Sequence, residues 1–191
     1  MGKSESHESL RALVESALLV TVGFVLSYIT LFKLPQGGSV TPLSMLPLLM
    51  IGLRHGIKWG LGGGLIYACL QMLQQFWPPP SGTFVAYASV VLLDYILAYT
   101  VLGLSAIFRG RRYGMLYAVP LCLILRFLCH LVSGIVIWGV YAPEGAPVWL
   151  YSLTYNGSYM GLELIFTTIV GAILCRTAPV LFVTKPNTQG S

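Results

Sequence analysis

Long apolar runs, broken by short clusters of Gly, Pro and basic residues, govern what this chain can fold into. The first covers about residues 10–32, which at ~1.5 Å per helical residue is long enough to cross a hydrocarbon core of ~30 Å. Others follow at about residues 43–53, 59–76, 84–108, 113–141 and 155–182. Only 9% of the 191 residues are charged and 56% are hydrophobic, whereas roughly 25% of residues are charged in a soluble domain. An ordinary soluble domain is excluded. The fold class expected is all-α: a polytopic membrane protein, one integral domain over residues 1–191, built as a bundle of six transmembrane helices.

The breaks read as loops. Leu34-Pro-Gln-Gly-Gly-Ser-Val-Thr-Pro42 and Trp77-Pro-Pro-Pro-Ser-Gly82 are rich in turn formers, Arg109-Gly-Arg-Arg112 ends the fourth helix, and Ala142-Pro-Glu-Gly-Ala-Pro147 separates the last two. Gly60, Gly62, Gly63 and Gly64 do not form a nucleotide loop, because Leu65 sits where the last glycine is required and no strand precedes them; close helix packing is the expectation. Six crossings put both termini on one side. If that side is the cytoplasm, its segments hold Lys3, Arg11, Arg54, Lys58, Arg109, Arg111, Arg112, Arg176 and Lys185, while the opposite loops hold only Lys33. This asymmetry predicts cytoplasmic termini, so the net charge of +5 reports topology, and nucleic acid is not an expected partner.

The acidic Glu5, Glu8 and Glu15 spoil a secretory n-region, so the first helix is expected to stay in the protein. The myristoylation-like start at Gly2 is discounted, since one acyl chain adds little to a spanning protein. Cys69, Cys122, Cys129 and Cys175 fall inside spans without a C-x-x-C pair and are expected to be buried apolar thiols, with no metal site. The Asn156-Gly-Ser158 triplet is a formal glycosylation sequon, discounted because it lies at the mouth of a helix.

Ionisable side chains at membrane depth are costly and need a partner, a cavity or a role. Asp94, Arg126, His130 and Glu163 are the four here. On the fifth helix Arg126, His130, Gly134 and Trp138 recur every four residues, so they share a stripe that rises ~12 Å from His130 to Trp138. A purely structural reading pairs Asp94 with Arg126, makes Glu163 the partner of Arg126, and assigns Trp138 to the interfacial aromatic belt. A ligand-binding reading has Asp94 face a cationic ligand, Tyr95 add a hydroxyl contact, and Asn156 donate and accept at the edge of a heterocycle. No H-E-x-x-H, G-x-S-x-G or Walker loop is present, so no catalytic residue or bound cofactor is expected, and any ATP must be used by another chain.

Four strings in order, Leu34-Pro-Gln-Gly-Gly-Ser-Val, Leu-Leu-Asp94-Tyr95, Arg126-x-x-x-His130-x-x-Ser133-Gly134-x-x-x-Trp138 and Ala142 to Asn156, resemble the thiamine-specific substrate-binding subunits of energy-coupling factor (ECF) transporters. The resemblance covers about residues 14–179. It implies a bacterial cell-membrane subunit that captures thiamine from outside, under the Gln36 and Pro147 loops, and docks on one transmembrane coupling protein and two ATPases. By the same resemblance the ligand-binding positions are Asp94, Tyr95, His130, Gly134, Trp138, Tyr151 and Asn156, and the docking face carries Ala17-x-x-x-Thr21. The first outer loop lacks a tryptophan that some family members place there. Rival readings are a subunit for another cationic or heterocyclic metabolite, an intramembrane enzyme using Asp94, Glu163 and His130, and a scaffold.

Overall fold

The computed structural model describes residues 3–182, with side chains from residue 6; Gly2, Lys185 and the side chain of Lys3, which entered the sequence reading, lie outside it. Six helices follow one another: α1 Lys3–Ser27, α2 Leu46–His55, α3 Ile57–Gln74, α4 Phe84–Phe108, α5 Gly114–Val136 and α6 Val148–Thr177. Four of them, α1 from Ser6, α4, α5 and α6, are long and apolar enough to cross a membrane. The ten residues of α2 span only ~15 Å. Each residue from Leu46 to Leu53 is buried, so α2 is apolar all round because it is the centre of the bundle. Leu48, Leu49 and Ile51 pack there with Leu102 of α4 and with Met115, Val119 and Cys122 of α5.

Helix α1 already begins at Lys3 and α6 ends at Thr177, and three further boundaries that differ from the sequence reading shape the far end of the bundle. Helix α1 stops at Ser27, because residues 32–40 turn back as a hairpin in which β1 (Phe32–Lys33) pairs antiparallel with β2 (Ser39–Val40). Helix α5 ends at Val136 and gives way to a 3₁₀ turn at Gly139–Tyr141. Helix α6 begins at Val148, directly after Pro147, so Tyr151 to Thr154 belong to the helix and not to a loop. Polar side chains can start a membrane helix there because Ser152 and Asn156 are buried in the bundle and the exposed Thr154 hydroxyl donates to the Leu150 carbonyl of its own helix at 2.9 Å.

The glycine run of α3 is a packing notch. A Cβ on Gly60 would stand 2.8 Å from the Gly103 carbonyl of α4, and one on Gly64 2.5 Å from the Tyr99 carbonyl; Gly62 meets nothing. All four cysteines are free and helical; Cys122 and Cys175 are buried, but Cys69 is exposed and Cys129 partly so, contrary to the expectation of burial throughout. An exposed thiol on an apolar helix costs little where the surrounding solvent is lipid.

Leu10, Leu13, Val14, Leu18, Val22 and Val25 cover the outer face of α1, an apolar surface suited to lipid or to another helix. Ala17 and Thr21 lie exposed on α1, with the Thr21 hydroxyl donating to the Ala17 carbonyl at 2.9 Å. At one end of the bundle Glu15 accepts from Arg11 at 2.7 Å and from Arg54 at 2.6 Å, while Arg54 also donates to the Leu181 carbonyl at 2.9 Å. That cluster ties α1, α2 and the C-terminal turn Pro179–Phe182 together. The hairpin and the loop between α3 and α4 converge at the other end.

Candidate functional site

Between the hairpin, α3, α4, α5 and α6 lies a cavity of about 160 Å³, ample for a small organic molecule when a single water needs ~10–15 Å³. All seven sequence-predicted site residues, Asp94, Tyr95, His130, Gly134, Trp138, Tyr151 and Asn156, line it, and so does Arg126. Gln36 of the hairpin lines it as well, whereas Pro147 does not.

Asp94 is the hub. It lies on a π-helical segment of α4, Val91–Leu97, a distortion that departs from regular α-helical spacing and is found often at functional sites. Its Oδ1 accepts from His130 Nδ1 at 3.0 Å, and its Oδ2 accepts from the Ser133 hydroxyl at 2.6 Å and from Trp138 Nε1 at 3.1 Å. His130 and Ser133 of α5 and Trp138, just beyond its end, thus supply all three donors. Arg126, the partner offered by the structural reading, is not among them. Its guanidinium lies 4.2 Å from the centre of the Tyr99 ring, donates to Tyr99 Oη at 3.4 Å and contacts Met45 Sδ at 3.3 Å.

Glu163 makes no direct ion pair with Arg126, whose charge acts on it only from a distance: its Oε1 accepts from the Thr41 backbone N–H at 2.6 Å and from the Thr41 hydroxyl at 2.9 Å. The carboxylate holds the chain just after β2, where Leu43 has φ +69°, the left-handed region that costs a non-glycine residue ~1–2 kcal/mol. Asp94 and Glu163 are therefore engaged by different groups, and the two-carboxylate arrangement that an intramembrane enzyme would need is not formed.

Other side chains have roles that their sequence positions did not disclose. The Tyr95 hydroxyl is not offered to the cavity; it donates to the Gln75 carbonyl at 2.9 Å and accepts the Trp77 N–H at 3.2 Å, fastening the loop between α3 and α4. The Asn156 amide donates to the Ser152 carbonyl at 3.0 Å and to the His130 carbonyl at 3.3 Å, and its Oδ1 accepts from Tyr159 at 2.9 Å. Its second oxygen lone pair remains for a ligand. Gly134 admits α6 itself, since a Cβ there would run into Ser152. Asn156 is buried and carries these bonds inside a helix, so the sequon does not present an acceptor for a glycan.

Sequence reasoning missed Tyr67, Tyr99, Tyr155, Tyr159 and Trp77, all of which line the cavity. Tyr155 and Tyr159 follow Tyr151 and Asn156 at helical spacing and could have been found on that ground. Tyr155 Oη accepts the backbone N–H of Gln36 at 3.1 Å and of Gly38 at 3.2 Å, so it anchors the hairpin over the cavity. His130 Nε2 is buried with no protein partner. With Nδ1–H given to Asp94, it is an acceptor waiting for a donor.

A polytopic helical protein whose interior holds a carboxylate, an unpartnered imidazole nitrogen and several aromatic faces in one cavity falls in the class of membrane proteins that bind a small polar solute. Comparison with known proteins narrows the class. The sequence model of the thiamine transporter protein family matches residues 13–183, and the chain belongs to that family. The thiamine transporter ThiT of Bacillus subtilis is 34% identical, with 92% of this chain and 95% of the relative covered. That of Lacticaseibacillus paracasei is 26% identical, with coverage of 95% and 94%. The solved structure of ThiT from Listeria monocytogenes is similar with a TM-score of 0.75 at 25% identity, covering 92% of this chain and 99% of that one. The chain is a multi-pass cell-membrane protein.

Proposed function

We propose that the protein takes up thiamine as the high-affinity substrate-binding subunit of an energy-coupling factor transporter, with the cavity around Asp94 as its binding site. The observation that supports this most is the Asp94 carboxylate, already oriented by three donors and set among aromatic rings. Thiamine carries a fixed positive charge on its thiazolium ring and an amine on its pyrimidine. A carboxylate and aromatic faces suit the first, each cation-π contact being worth roughly 1–2 kcal/mol when desolvated. His130 Nε2, Tyr151 and the Asn156 carbonyl suit the second. Gly134 shapes the site by letting α6 close on α5, and Tyr95 shapes it by holding a loop.

The ATP-driven step belongs to separate subunits, one transmembrane coupling protein and two ATPases, because this chain has no nucleotide loop. The outer face of α1, with the small Ala17 and Thr21 one turn apart, is the docking surface proposed for the coupling protein. In this reading the cavity end faces outward and the Glu15–Arg54 end faces the cytoplasm, an orientation that the distribution of basic residues supports.

Titration of the purified, detergent-solubilised chain with thiamine, followed by quenching of tryptophan emission, tests the reading. Saturable binding at submicromolar ligand is expected, since Trp138 lines the cavity; a folded protein that takes no thiamine would reject it. In the same assay, Tyr155→Phe removes the acceptor of the Gln36 and Gly38 N–H groups. It is expected to speed thiamine release roughly tenfold, as two hydrogen bonds of ~0.5–1.5 kcal/mol each are lost from the hairpin. Stopped-flow release kinetics give the answer, and an unchanged off-rate would show that the hairpin is held by other contacts.

A further inference from the structure

Trp77 stands in a loop to which the sequence assigned no role in binding, yet it lines the cavity. Its surroundings fix it from three directions. Its backbone N–H is bound to Tyr95 Oη at 3.2 Å, and the same hydroxyl holds the Gln75 carbonyl at 2.9 Å. Its neighbour Phe76 is stacked on Tyr95 and on Tyr87, with ring centres 5.6 Å and 6.1 Å apart. Three prolines follow, Pro78, Pro79 and Pro80, which restrict the backbone of the whole segment.

Across the cavity mouth, the hairpin tip lies against the indole. A Cβ on Gly37 would fall 2.5 Å from Trp77 Nε1 and 2.7 Å from Cδ1, and Gly37 has φ +93°, so only glycine can sit flat there. Lys33 on β1 reaches the same loop, its ammonium 3.1 Å from Gln75 Oε1. Because Tyr95 directly follows Asp94, the hydroxyl that fastens Trp77 also sets it in a constant relation to the carboxylate.

The other tryptophan of the cavity is less free. Trp138 gives its N–H to Asp94 and is stacked on Tyr141, with ring centres 6.3 Å apart and planes 20° from parallel. A ligand with two flat heterocycles gains from a second large aromatic surface besides Trp138; the hairpin between β1 and β2 carries none, the Tyr99 ring is covered by the Arg126 guanidinium, and Tyr155 and Tyr159 are tied to the hairpin and to Asn156, so Trp77 is the larger ring left. We infer that Trp77 is a ligand-contacting residue: a preorganised aromatic wall on which one ring of the bound heterocycle packs. This rests on the functional reading above, and it adds a residue to the site that neither motif nor resemblance supplied. Rigid preorganisation is what gives such a contact its value, since little rotamer freedom remains to be lost on binding.

The test compares the dissociation constant of thiamine, by isothermal titration, for Trp77→Ala, Trp77→Leu and Trp77→Phe. The first two are expected to bind roughly 10- to 30-fold more weakly, and Trp77→Phe within about threefold of the parent, because it keeps an aromatic face. A second readout is taken on the parent chain itself. In the parent chain labelled with 5-fluorotryptophan, the ¹⁹F resonance of Trp77, assigned through Trp77→Phe, is expected to shift when thiamine is added. Unchanged affinity in Trp77→Ala, or Trp77→Phe as weak as Trp77→Ala, or a resonance that does not move, overturns the inference while leaving thiamine binding intact. A parent chain that binds no thiamine overturns the functional reading instead, and this inference with it.

Discussion

Asp94→Asn is expected to bind thiamine roughly 100-fold more weakly than the parent chain while melting at nearly the same temperature. The carboxylate accepts from His130, Ser133 and Trp138. Ser133 and Trp138 both donate to Oδ2, and an indole N–H cannot become an acceptor, so the amide nitrogen of an asparagine must turn to the Oδ1 position, opposite His130. The imidazole can meet it by moving its proton from Nδ1 to Nε2. The three contacts then survive with one donor reversed, which is why the fold should tolerate the change. The binding site should not. The negative charge is gone, a loss of ~1.5–3 kcal/mol where it faced a cation, and Nε2 now presents a proton where it had presented a lone pair. Isothermal titration, with thermal unfolding as the control for folding, measures both effects. Binding within threefold of the parent would remove Asp94 from the ligand site.

The sequence made the site's residues visible for a physical reason. In a chain with so few charges, a carboxylate, a guanidinium or an imidazole inside an apolar run stands out, and the four-residue spacing from Arg126 to Trp138 places those side chains on one face of any helix. Which group would pair with which was not legible. Opposite charges suggested Asp94 with Arg126 and Arg126 with Glu163, but the structure satisfies the carboxylates with neutral donors, His130, Ser133 and Trp138 for one and Thr41 for the other. Pairing depends on how two helices are rotated against each other, and Asp94 sits on a π-helical stretch that shifts that rotation by a fraction of a turn. Hydropathy carries no trace of such a stretch. The start of α6 was misplaced because Tyr151, Ser152 and Thr154 look like loop residues when polarity is the guide. Pro147 directly before the helix was the better signal, as a proline cannot sit inside a helix without removing a bond. Trp77 escaped notice because a loop residue has no periodicity to report it.

Gly134→Val is expected to abolish measurable thiamine binding and to lower the melting temperature by roughly 5–10 °C, the effect of ~2–3 kcal/mol on a chain of this size. Helices α5 and α6 meet at this glycine. A Cβ there would collide with the Ser152 hydroxyl and stand 2.9 Å from Ser152 Cβ and 3.0 Å from Asn156 Nδ2, so the helices must separate to accept it. Two hydrogen bonds depend on the close approach, Ser152 Oγ to the Leu131 carbonyl at 2.8 Å and Asn156 Nδ2 to the His130 carbonyl at 3.3 Å. Both acceptors are on the segment that presents His130 to Asp94. Movement of α6 therefore disturbs the imidazole, the asparagine and Tyr159, which donates to Asn156, in one step. Gly134→Ala should show a graded form of this, about tenfold weaker binding, because one methyl forces a smaller separation. Gly157→Ala on α6 is the control: a Cβ there meets nothing within 4 Å, so the same added methyl should leave affinity unchanged and raise stability slightly by removing freedom from the unfolded chain. If Gly134→Ala and Gly157→Ala were to bind thiamine equally well, the helix approach at Gly134 would not be what shapes the cavity.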